Sequence, residues 1–405
     1  MRYLLRYCRT RASERCFIDM ENNAIEKTNK YLAGTYARQN VAFVSGHGSY
    51  LVDDTGREYI DFGSGIAVNG LGLQNSEVNS AVCAQLNKIS HTSNLYYNEP
   101  QGELGKLLCT KTGMSKVFLS NSGAEANECA IKAARKYSFD KYGEGRSEII
   151  ALKNSFHGRT VTTLSATGQE SFHTYFMPFT EGFTFVEAGN FDALNEAASD
   201  KTCAVMLELV QGEGGVIALD GDYVNKVCKL CADKDILVVI DEVQTGNGRS
   251  GSLYAYMEYG ISPDIVTTAK GLANGLPIGA TLFNAKTSGV LTAGTHGSTF
   301  GGNLLSCAAA VATLKQIDQK LLDGVKAKHK LIVNTLSALP KVKSVTGMGL
   351  MLGIECDNNK EIVSKCLEKG LVVLTAKSKI RLLPALNIDD KTLQDGLNIL
   401  KEVLQ

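Results

Sequence analysis

The sequence predicts an α/β protein with a large, mostly parallel β-sheet and a smaller α+β domain built from both ends of the chain. Short β-rich runs alternate with helical stretches between about residues 105 and 300, which is typical of a parallel sheet covered by helices on both faces. Apolar residues make up 44% of the 405 residues, which is enough for a large core and excludes a globally disordered chain. At about 150 residues per domain, this length corresponds to roughly two or three domains.

The predicted elements follow one another along the chain. Residues 41–62 are expected to form short strands around a turn at Asp53-Asp-Thr-Gly56, because apolar positions alternate on both sides. A strand at 117–119 leads through a Gly-containing turn into a helix at 124–137. Further strands are predicted at 149–152, 204–209, 237–240, 265–267, 371–374 and 380–383, and further helices at 223–232, from 303 to about 317, and at 391–404. We accordingly expect a large domain at 76–304 and a smaller one assembled from 20–75 and 305–405.

The balance of charge argues against a nucleic-acid-binding protein. The 42 Lys and Arg residues equal the 42 Asp and Glu residues, whereas nucleic-acid-binding domains usually carry a basic excess. No apolar run approaches the roughly 20 residues that a membrane-spanning helix needs. We therefore expect small-molecule substrates, with neither nucleic acid nor a membrane as a partner.

The eleven cysteines are scattered and lie mostly in apolar segments, where a thiol packs as a small hydrophobic group. Cys228 and Cys231 form a close pair. They lie on a predicted helix with no second Cys/His pair at ligand spacing, so we expect no metal. This cysteine usage favours a reducing compartment, and we expect a cytoplasmic protein.

The N-terminal segment 1–19 is basic and is not expected to belong to the fold. Five arginines and one acidic residue occur among the first 16 residues, a composition that a mitochondrial transit peptide would share. The segment contains only one Ser, however, and Met20 opens a more ordinary sequence. A mitochondrial location is therefore the lesser alternative, and either Met1 or Met20 is the start.

Polar residues follow three of the predicted strands directly. Ligands bind beyond the carboxyl ends of parallel strands, so these residues are candidates for a site. The segment Ser120-Asn-Ser-Gly-Ala124 begins a helix and would present free N–H groups to an anion, although a Ser beside a Gly is equally a simple helix cap. Asp241 ends an apolar strand, where a carboxylate either meets a cationic partner or caps the next turn. Lys270 is either a solvated loop residue or a desolvated amine suited to condensation with a carbonyl group.

The segment Gly246-Asn-Gly-Arg-Ser-Gly251 matches the G-x-G-x-x-G pattern of dinucleotide-binding folds. Five residues separate Ile240 from the first glycine, so these glycines do not form the strand-to-helix turn that dinucleotide binding requires. A dehydrogenase is thus a weaker alternative.

Lys270, Asp241 and the turn at Ser122 together match the needs of one cofactor, pyridoxal 5'-phosphate. Its aldehyde needs an amine, its ring nitrogen needs an anion, and its phosphate needs a helix N-terminus. None of the three residues decides the question by itself.

From about residue 30 to residue 400 the sequence resembles the class III, or ornithine-type, pyridoxal-phosphate aminotransferases, and within them the enzymes whose amine donor is acetylornithine. The resemblance implies an aspartate aminotransferase-like fold (fold type I) and a homodimer with active sites at the interface. It rests on long motifs: Asn121-Ser-Gly-Ala-Glu-Ala-Asn127, Ser155-Phe-His-Gly-Arg-Thr160, Gln211-Gly-Glu-Gly-Gly215, Ile240-Asp-Glu-Val-Gln-Thr-Gly246, Ala269-Lys-Gly271 and His296-Gly-Ser-Thr-Phe-Gly-Gly-Asn303.

The resemblance also implies which residues bind the cofactor. Lys270 would hold it covalently and then act as the general base, and Asp241 would keep the ring nitrogen protonated. The remaining implied contacts are with the phosphate, the two ring faces and the ring hydroxyl, with Thr299 reaching the phosphate from the partner subunit: Ser122, Gly123, Ala124, Phe156, Glu242, Val243, Gln244 and Thr299.

Four residues are implied in substrate binding. Arg159 would bind the α-carboxylate of acetylornithine, with Ser298 also touching this substrate. Arg381 would bind the α-carboxylate of 2-oxoglutarate, and Glu213 would pair with Arg381 while the amine donor is bound. For both arginines the alternative is a surface ion pair.

The resemblance therefore implies transfer of the δ-amino group of N-acetylornithine to 2-oxoglutarate in arginine synthesis. Gly65-Ile66 stands where ornithine aminotransferases carry a substrate-contacting Tyr, which favours an acylated donor. Other donors stay open: succinylornithine, succinyl-diaminopimelate, ornithine and 4-aminobutyrate. A cofactor-binding sensor without turnover is an alternative of another class. Four intact residues argue against it: Lys270, Asp241, Arg159 and Glu213.

Overall fold

The computed structural model describes residues 24–405, which form two compact units. Within this range one unit comprises residues 24–46 and 51–58, and the other comprises residues 47–50 and 59–405. The basic segment 1–19 and Met20 lie outside the described residues. The predicted domain boundaries stay a prediction.

The strands before residue 62 are short and surround the predicted turn. They are β1 (Phe43–His47), β2 (Tyr50–Asp53) and β3 (Glu58–Asp61). In the turn, Asp53 Oδ1 accepts hydrogen bonds from the backbone N–H groups of Thr55 (2.9 Å) and Arg57 (3.0 Å). A carboxylate that bonds the backbone two residues further on is a common way to fix such a turn.

A seven-stranded sheet forms the centre of the larger unit. Its members are β4 (Lys116–Ser120), β5 (Glu148–Leu152), β6 (Phe183–Val186), β7 (Thr202–Leu207), β10 (Leu237–Asp241), β11 (Ile265–Thr268) and β12 (Gly279–Phe283); β8 (Val210–Gln211) and β9 (Ile217–Ala218) pair separately. The order is β4-β12-β11-β10-β7-β5-β6. All neighbours are parallel except β12, which is antiparallel to both β11 and β4. The predicted mostly parallel sheet is confirmed.

A second sheet lies in the C-terminal part of the chain. It contains β13 (Ser344–Met348), β14 (Met351–Glu355), β16 (Leu374–Ala376) and β17 (Lys379–Leu382), which are antiparallel in the order β13-β14-β17-β16. Between them in sequence, β15 (Leu371–Val372) pairs in parallel with β3, where Leu371 lies opposite Ile60. Strands from both ends of the chain thus meet, as the fold class requires.

The helices alternate with these strands. They are α1 (Ala24–Tyr31), α2 (Ser76–Leu86), α3 (Glu99–Thr112), α4 (Gly123–Tyr142), α5 (Val161–Ser165), α6 (Phe191–Ala197), α7 (Gly221–Lys234), α8 (Ala255–Glu258), α9 (Leu304–Gln316), α10 (Gln319–Ser337), α11 (Asn359–Glu368) and α12 (Asp390–Leu404), with single 3-10 turns at Glu170–Phe172 and Lys270–Ala273. Among the described residues, no helix is both long and apolar enough to cross a membrane.

Helix α4 explains how the sequence positions the site. Ser122 caps it by accepting a hydrogen bond from the backbone N–H of Glu125 (3.2 Å), and the helix ends at Gly143, where φ is +78°. Small buried residues at helical spacing let α4 pack closely on the sheet: Ala126, Ala130, Ala133 and Ala134. The first turn of α4 is therefore held at the carboxyl ends of the parallel strands.

Candidate active site

The residues that follow the parallel strands surround a cavity of about 460 Å³. The cavity lies beyond the carboxyl ends of the strands, as expected for a parallel sheet. Several of the predicted site residues line it: Ser122, Gly123, Ala124, Phe156, Arg159, Asp241, Val243, Gln244 and Lys270. The structure thus brings together residues that are far apart in sequence, such as Ser122 and Lys270, which are 148 positions apart.

Asp241 is buried at the end of β10, and its carboxylate is held by three hydrogen bonds. Oδ2 accepts bonds from Asn127 Nδ2 (2.8 Å) and His157 Nδ1 (2.7 Å), and Oδ1 accepts one from the backbone N–H of Val243 (3.0 Å). Burial alone would lower the pKa of His157, but its hydrogen bond to Asp241 and the charges of Asp241 and Glu208 raise this pKa overall. The imidazole and the carboxylate therefore form a buried, hydrogen-bonded pair at the cavity wall.

Asn127 is itself fixed in orientation. Its Oδ1 accepts a hydrogen bond from Thr267 Oγ1 (2.6 Å), and its Nδ2 also donates to the backbone carbonyl of His157 (2.8 Å). Thr267 lies opposite Asp241 in the pairing of β11 with β10. The rigid sheet therefore determines the position of the carboxylate.

Glu208 follows β7 and is a second buried acid in the cavity wall. One of its oxygens, Oε2, accepts a hydrogen bond from the backbone N–H of Phe156 (2.8 Å). Burial raises the pKa of Glu208, although the nearby charge of His157 opposes this shift. Asn127, His157 and Glu208 were not among the predicted site residues, although Asn127 and His157 lie inside the motifs that carry the family resemblance.

Lys270 follows β11 in a backbone conformation that is unusual for lysine. Its φ is +45°, in the left-handed region that side-chain-bearing residues rarely adopt. Burial lowers the pKa of Lys270, against the opposing charges of Glu213 and Asp241. A lower pKa increases the neutral fraction of the amine, which is the form that attacks an aldehyde.

The first turn of α4 forms a cradle for an anion. Gly123 and Ala124 begin the helix, where backbone N–H groups have no partner within the helix. A Cβ atom placed on Gly123 would lie 2.6 Å from Val243 Cγ1, so only glycine allows the loop after Asp241 to approach this turn. A helix N-terminus, a buried carboxylate and a desolvated amine around one cavity fit the phosphate, ring nitrogen and aldehyde of pyridoxal phosphate.

Arg159 is exposed at the rim of the cavity. Its guanidinium lies over the ring of Phe172, 3.9 Å from the centroid, and 5.6 Å from that of Phe156. Stacking on aromatic faces fixes the plane of the guanidinium while leaving its N–H donors free for a carboxylate.

Arg381 is buried and contacts the cavity wall through Gln244. Its Nη1 lies 2.5 Å from Glu213 Oε1 and donates to Gln244 Oε1 at 3.1 Å. The side chain of Arg381 is 3% exposed, whereas that of Glu213 is 32% exposed. Glu213 therefore has room to move away from an arginine that stays in place.

Five predicted residues are not among those that line the cavity: Glu213, Arg381, Ser298, Thr299 and Glu242. Ser298 Oγ accepts hydrogen bonds from Asn121 Nδ2 (3.1 Å) and from the backbone N–H of Gly301 (2.9 Å), and Thr299 is exposed. Glu242 points into the core, where its Oε1 accepts a hydrogen bond from the backbone N–H of Tyr256 (2.8 Å). Burial raises the pKa of Glu242 to about 7.

Solved structures with the same fold include aminotransferases. The crystal structure of ornithine aminotransferase from Toxoplasma gondii ME49 superimposes with a TM-score of 0.90 and 31% identity, covering 94% of each chain. That of N-acetylornithine aminotransferase from Stenotrophomonas maltophilia K279a gives a TM-score of 0.81 and 32% identity, covering 94% of this chain and 98% of that chain.

Sequence comparisons identify the family. The acetylornithine aminotransferase of Haemophilus ducreyi is 51% identical over 378 residues, covering 92% of this chain and 96% of that protein. The acetylornithine aminotransferase of Methanocaldococcus jannaschii is 42% identical over 390 residues, covering 95% and 98%. The family model described as aminotransferase class-III matches residues 32–404. The resemblance, the fold and the cofactor are thereby confirmed: the chain belongs to the class III aminotransferases and is a pyridoxal-phosphate-dependent transaminase.

Proposed function

We propose that this enzyme transfers the δ-amino group of N-acetylornithine to 2-oxoglutarate, giving N-acetylglutamate 5-semialdehyde and glutamate in arginine synthesis. The observation that carries the proposal is the ion pair of Arg381 with Glu213 beside the cavity that Lys270 and Asp241 line. The names of the curated relatives support the acylated donor.

The ion pair explains how one site could accept two different amines. An N-acetylornithine molecule that presents its terminal amine has its only carboxylate far from the reacting carbon, where Arg159 would bind it. Glu213 then neutralises Arg381, so that no unpaired buried charge faces the acyl-amino-acid chain. When 2-oxoglutarate binds, Glu213 would move away and Arg381 would bind the α-carboxylate through its planar fork of N–H donors.

The residues around the cavity have distinct tasks in this proposal. Bound pyridoxal phosphate supplies an aldehyde that accepts the amino group and a ring that withdraws electrons from the reacting carbon. Asp241 would accept a hydrogen bond from the ring nitrogen and keep its proton in place. Lys270 Nζ would take the proton from the substrate carbon that carries the amino group and would deliver it to the carbon that was the aldehyde carbon of the cofactor. Gly123 and Ala124 would donate their N–H groups to the phosphate.

We also propose a homodimer that completes the site. Large apolar side chains are exposed near the Ser298–Gly301 loop: Leu95, Tyr96, Tyr97 and Phe300. Asn94 joins the two segments, since its Nδ2 donates to the carbonyls of Ser298 and Gly301, both at 2.9 Å. If a partner subunit covered this patch, the exposed Thr299 of one subunit would reach the cofactor phosphate bound in the other subunit. Light scattering that gives a monomer mass for the loaded enzyme would contradict this.

The cysteines support a reducing, cytoplasmic location for the enzyme. Among the described residues they are free thiols, and most are buried: Cys83, Cys109, Cys129, Cys203, Cys228, Cys231, Cys307, Cys356 and Cys366. Thiols that persist unpaired are typical of compartments that keep them reduced.

A panel of single half-reactions tests the donor. The loaded enzyme is mixed with N-acetylornithine, succinylornithine, succinyl-diaminopimelate, ornithine or 4-aminobutyrate, and the loss of the aldehyde absorption of the cofactor gives kcat/KM for each. We expect N-acetylornithine to exceed ornithine and 4-aminobutyrate by about tenfold or more, the discrimination that a few pocket contacts can supply. A faster reaction with any other donor would overturn the substrate assignment.

A further inference from the structure

The glycine-rich segment 246–251, which resembles a dinucleotide motif in sequence, is a tightly packed joint. A Cβ atom on Gly246 would lie 2.7 Å from the backbone oxygen of Glu242 and from the ring of Tyr254. Gly248, with a φ of +89°, would meet Leu386 Cδ1 at 2.9 Å. Close packing explains these glycines without a phosphate ligand.

Arg249 is the charged residue of this joint, and it is 2% exposed. Its Nη1 donates hydrogen bonds to the backbone carbonyls of Leu350 (3.0 Å) and Pro384 (2.5 Å), and its own carbonyl accepts one from the N–H of Leu350 (2.9 Å). Nη2 is buried and has no hydrogen-bond partner among the described residues. Burial lowers the pKa of Arg249 to about 9, while the charge of Asp61 opposes this, so the guanidinium is protonated at neutral pH.

The two carbonyls that Arg249 binds flank β14 and β17, and β17 carries Arg381. Leu350 immediately precedes β14, and Pro384 comes two residues after the end of β17. These strands are antiparallel, with Leu352 opposite Leu382 and Gly353 opposite Arg381. Arg249 therefore holds the strand pair at the end nearest to Arg381.

The segment that carries Arg249 also connects to residues of the cavity wall. Arg249 lies on the segment that continues from Asp241, and the same segment carries Gln244, which accepts a hydrogen bond from Arg381. The approach of the two backbones is close, since a Cβ atom on Gly349 would lie 2.3 Å from the carbonyl oxygen of Arg249. Such a contact leaves little freedom for the strand pair to shift.

We propose that Arg249 is a positioning residue for the dicarboxylate substrate, because it sets the place of Arg381 relative to Asp241 by fixing the β14–β17 strand pair. The inference rests on the proposed function, in which Arg381 binds the α-carboxylate of 2-oxoglutarate. A buried guanidinium is costly for stability compared with an apolar side chain of similar size. Its two bonds to main-chain carbonyls give it a geometric role that an apolar residue could not have.

The variants Arg249→Lys and Arg249→Met test the role, with Lys328→Met as a matched control. Lys328 is half-buried, and its Nζ donates to the carbonyl of Leu386 (3.2 Å), close to Pro384 but outside the Arg249 contacts. We expect Arg249→Met to raise the KM for 2-oxoglutarate about 10- to 100-fold, the effect of an ångström-scale misplacement. The half-reaction with N-acetylornithine should change less than about threefold, and Arg249→Lys should be intermediate.

Binding of glutarate, a dicarboxylate that cannot react, gives a readout independent of turnover. Its Kd, measured by calorimetry on the loaded enzyme, should rise in parallel with the KM for 2-oxoglutarate, and Lys328→Met should leave both unchanged. An equal loss in both half-reactions, or an unchanged glutarate Kd in Arg249→Lys, would overturn the inference. If Arg249→Met does not fold, Arg249→Lys, which keeps the charge, decides.

Combination with Arg381→Leu separates this inference from the proposed function. If Arg249 acts through Arg381, adding Arg249→Lys to Arg381→Leu causes no further loss of glutarate binding, so the two effects are not additive. Additive effects overturn the positioning role alone. A single Arg381→Leu variant that still binds glutarate normally refutes the proposed acceptor site and the inference together.

Discussion

His157 Nδ1 lies 2.7 Å from Asp241 Oδ2, and neither side chain has more than 3% of its surface exposed. The pair stands at the wall of the cavity, where Asp241 is the anion available to a ring nitrogen. The Nε2 atom of His157 is buried without a hydrogen-bond partner among the described residues. The buried imidazole therefore fixes the Asp241 carboxylate at the cavity wall.

Replacing His157 by Gln tests this relationship through pH. Because the pKa of folded His157 is raised above its ordinary value of 6.5, the attraction to Asp241 stabilises the fold fully below about pH 6.5 and is lost as pH rises through the raised pKa. His157→Gln should lower the free energy of unfolding by about 1–3 kcal/mol at pH 6. The difference should shrink towards pH 9.

Chemical denaturation of wild type and His157→Gln across this pH range measures the difference. His173→Gln is a suitable control, since His173 Nε2 is hydrogen-bonded to the carbonyl of Leu164 (2.9 Å) and lies near no buried carboxylate in the described contacts. A difference between wild type and His157→Gln that is independent of pH would show that the pKa of His157 is the same in the folded and the unfolded protein.

Lys270→Ala should abolish the covalent link to the cofactor. We expect turnover to fall by at least about 10²- to 10⁴-fold, because the variant lacks the residue proposed to move the proton. Borohydride reduction followed by mass spectrometry should find the cofactor on residue 270 in the wild type only. Lys286→Ala, which removes a lysine paired with Asp235 at 2.8 Å outside the cavity lining, should behave as wild type. Reduced cofactor on another lysine would contradict the assignment.

The sequence alone could predict the residues at strand ends but not the contacts between distant segments. Asp241 and Lys270 follow apolar strands and Ser122 precedes a helix, so local pattern and the geometry of parallel sheets place them at one edge. The positive φ of Lys270, in contrast, could not be predicted from the local sequence pattern. The bond from Arg381 to Gln244 and that from Arg249 to Pro384 join residues 137 and 135 positions apart, and no local periodicity encodes such pairs.

Two strands of the central sheet, β6 and β12, were not predicted from the sequence, because their local patterns are weak. β12 is antiparallel to both of its neighbours, β4 and β11. Its short run Gly279–Phe283 follows a Gly- and Pro-containing segment, which gives little strand signal. β6 lies at the edge of the sheet and is only partly buried, which weakens its apolar pattern. Gly65 and Ile66 were used in the sequence only as an indication of the amine donor. In the structure they lie in a turn, Ser64–Ala67, in which every φ is positive, and the sequence did not predict this turn.

Glu213→Gln should separate the two half-reactions. Loss of the carboxylate leaves Arg381 without its ion-pair partner while the amine donor is bound, so we expect the rate with N-acetylornithine to fall about 10- to 100-fold. The rate with glutamate should change less than about threefold, because Arg381 is then occupied by the substrate. Single-turnover absorbance measurements with each amine give both rates.

The control for this prediction is Glu187→Gln. Glu187 pairs with Lys153 at 2.8 Å, but both side chains are more than half exposed, so loss of this pair should have little effect. Equal losses of the two half-reactions in Glu213→Gln would mean that Glu213 does not act by covering Arg381.

Gly123→Ala should weaken cofactor binding. The new Cβ would lie 2.6 Å from Val243 Cγ1, so either Val243 or the first turn of α4 must shift. Because this turn is proposed to hold the phosphate, we expect the Kd for pyridoxal phosphate to rise about tenfold, equivalent to about 1.4 kcal/mol. Fluorescence titration of the cofactor-free protein measures the Kd.

Gly102→Ala provides the comparison for this last change. Gly102 lies inside α3, and a Cβ there would have nothing within 4 Å. Alanine in a helix interior is more stable than glycine by about 0.5–1 kcal/mol, so Gly102→Ala should raise the melting temperature and leave the Kd unchanged. If Gly123→Ala also bound the cofactor with unchanged Kd, the close approach of α4 to Val243 would have no part in holding the phosphate.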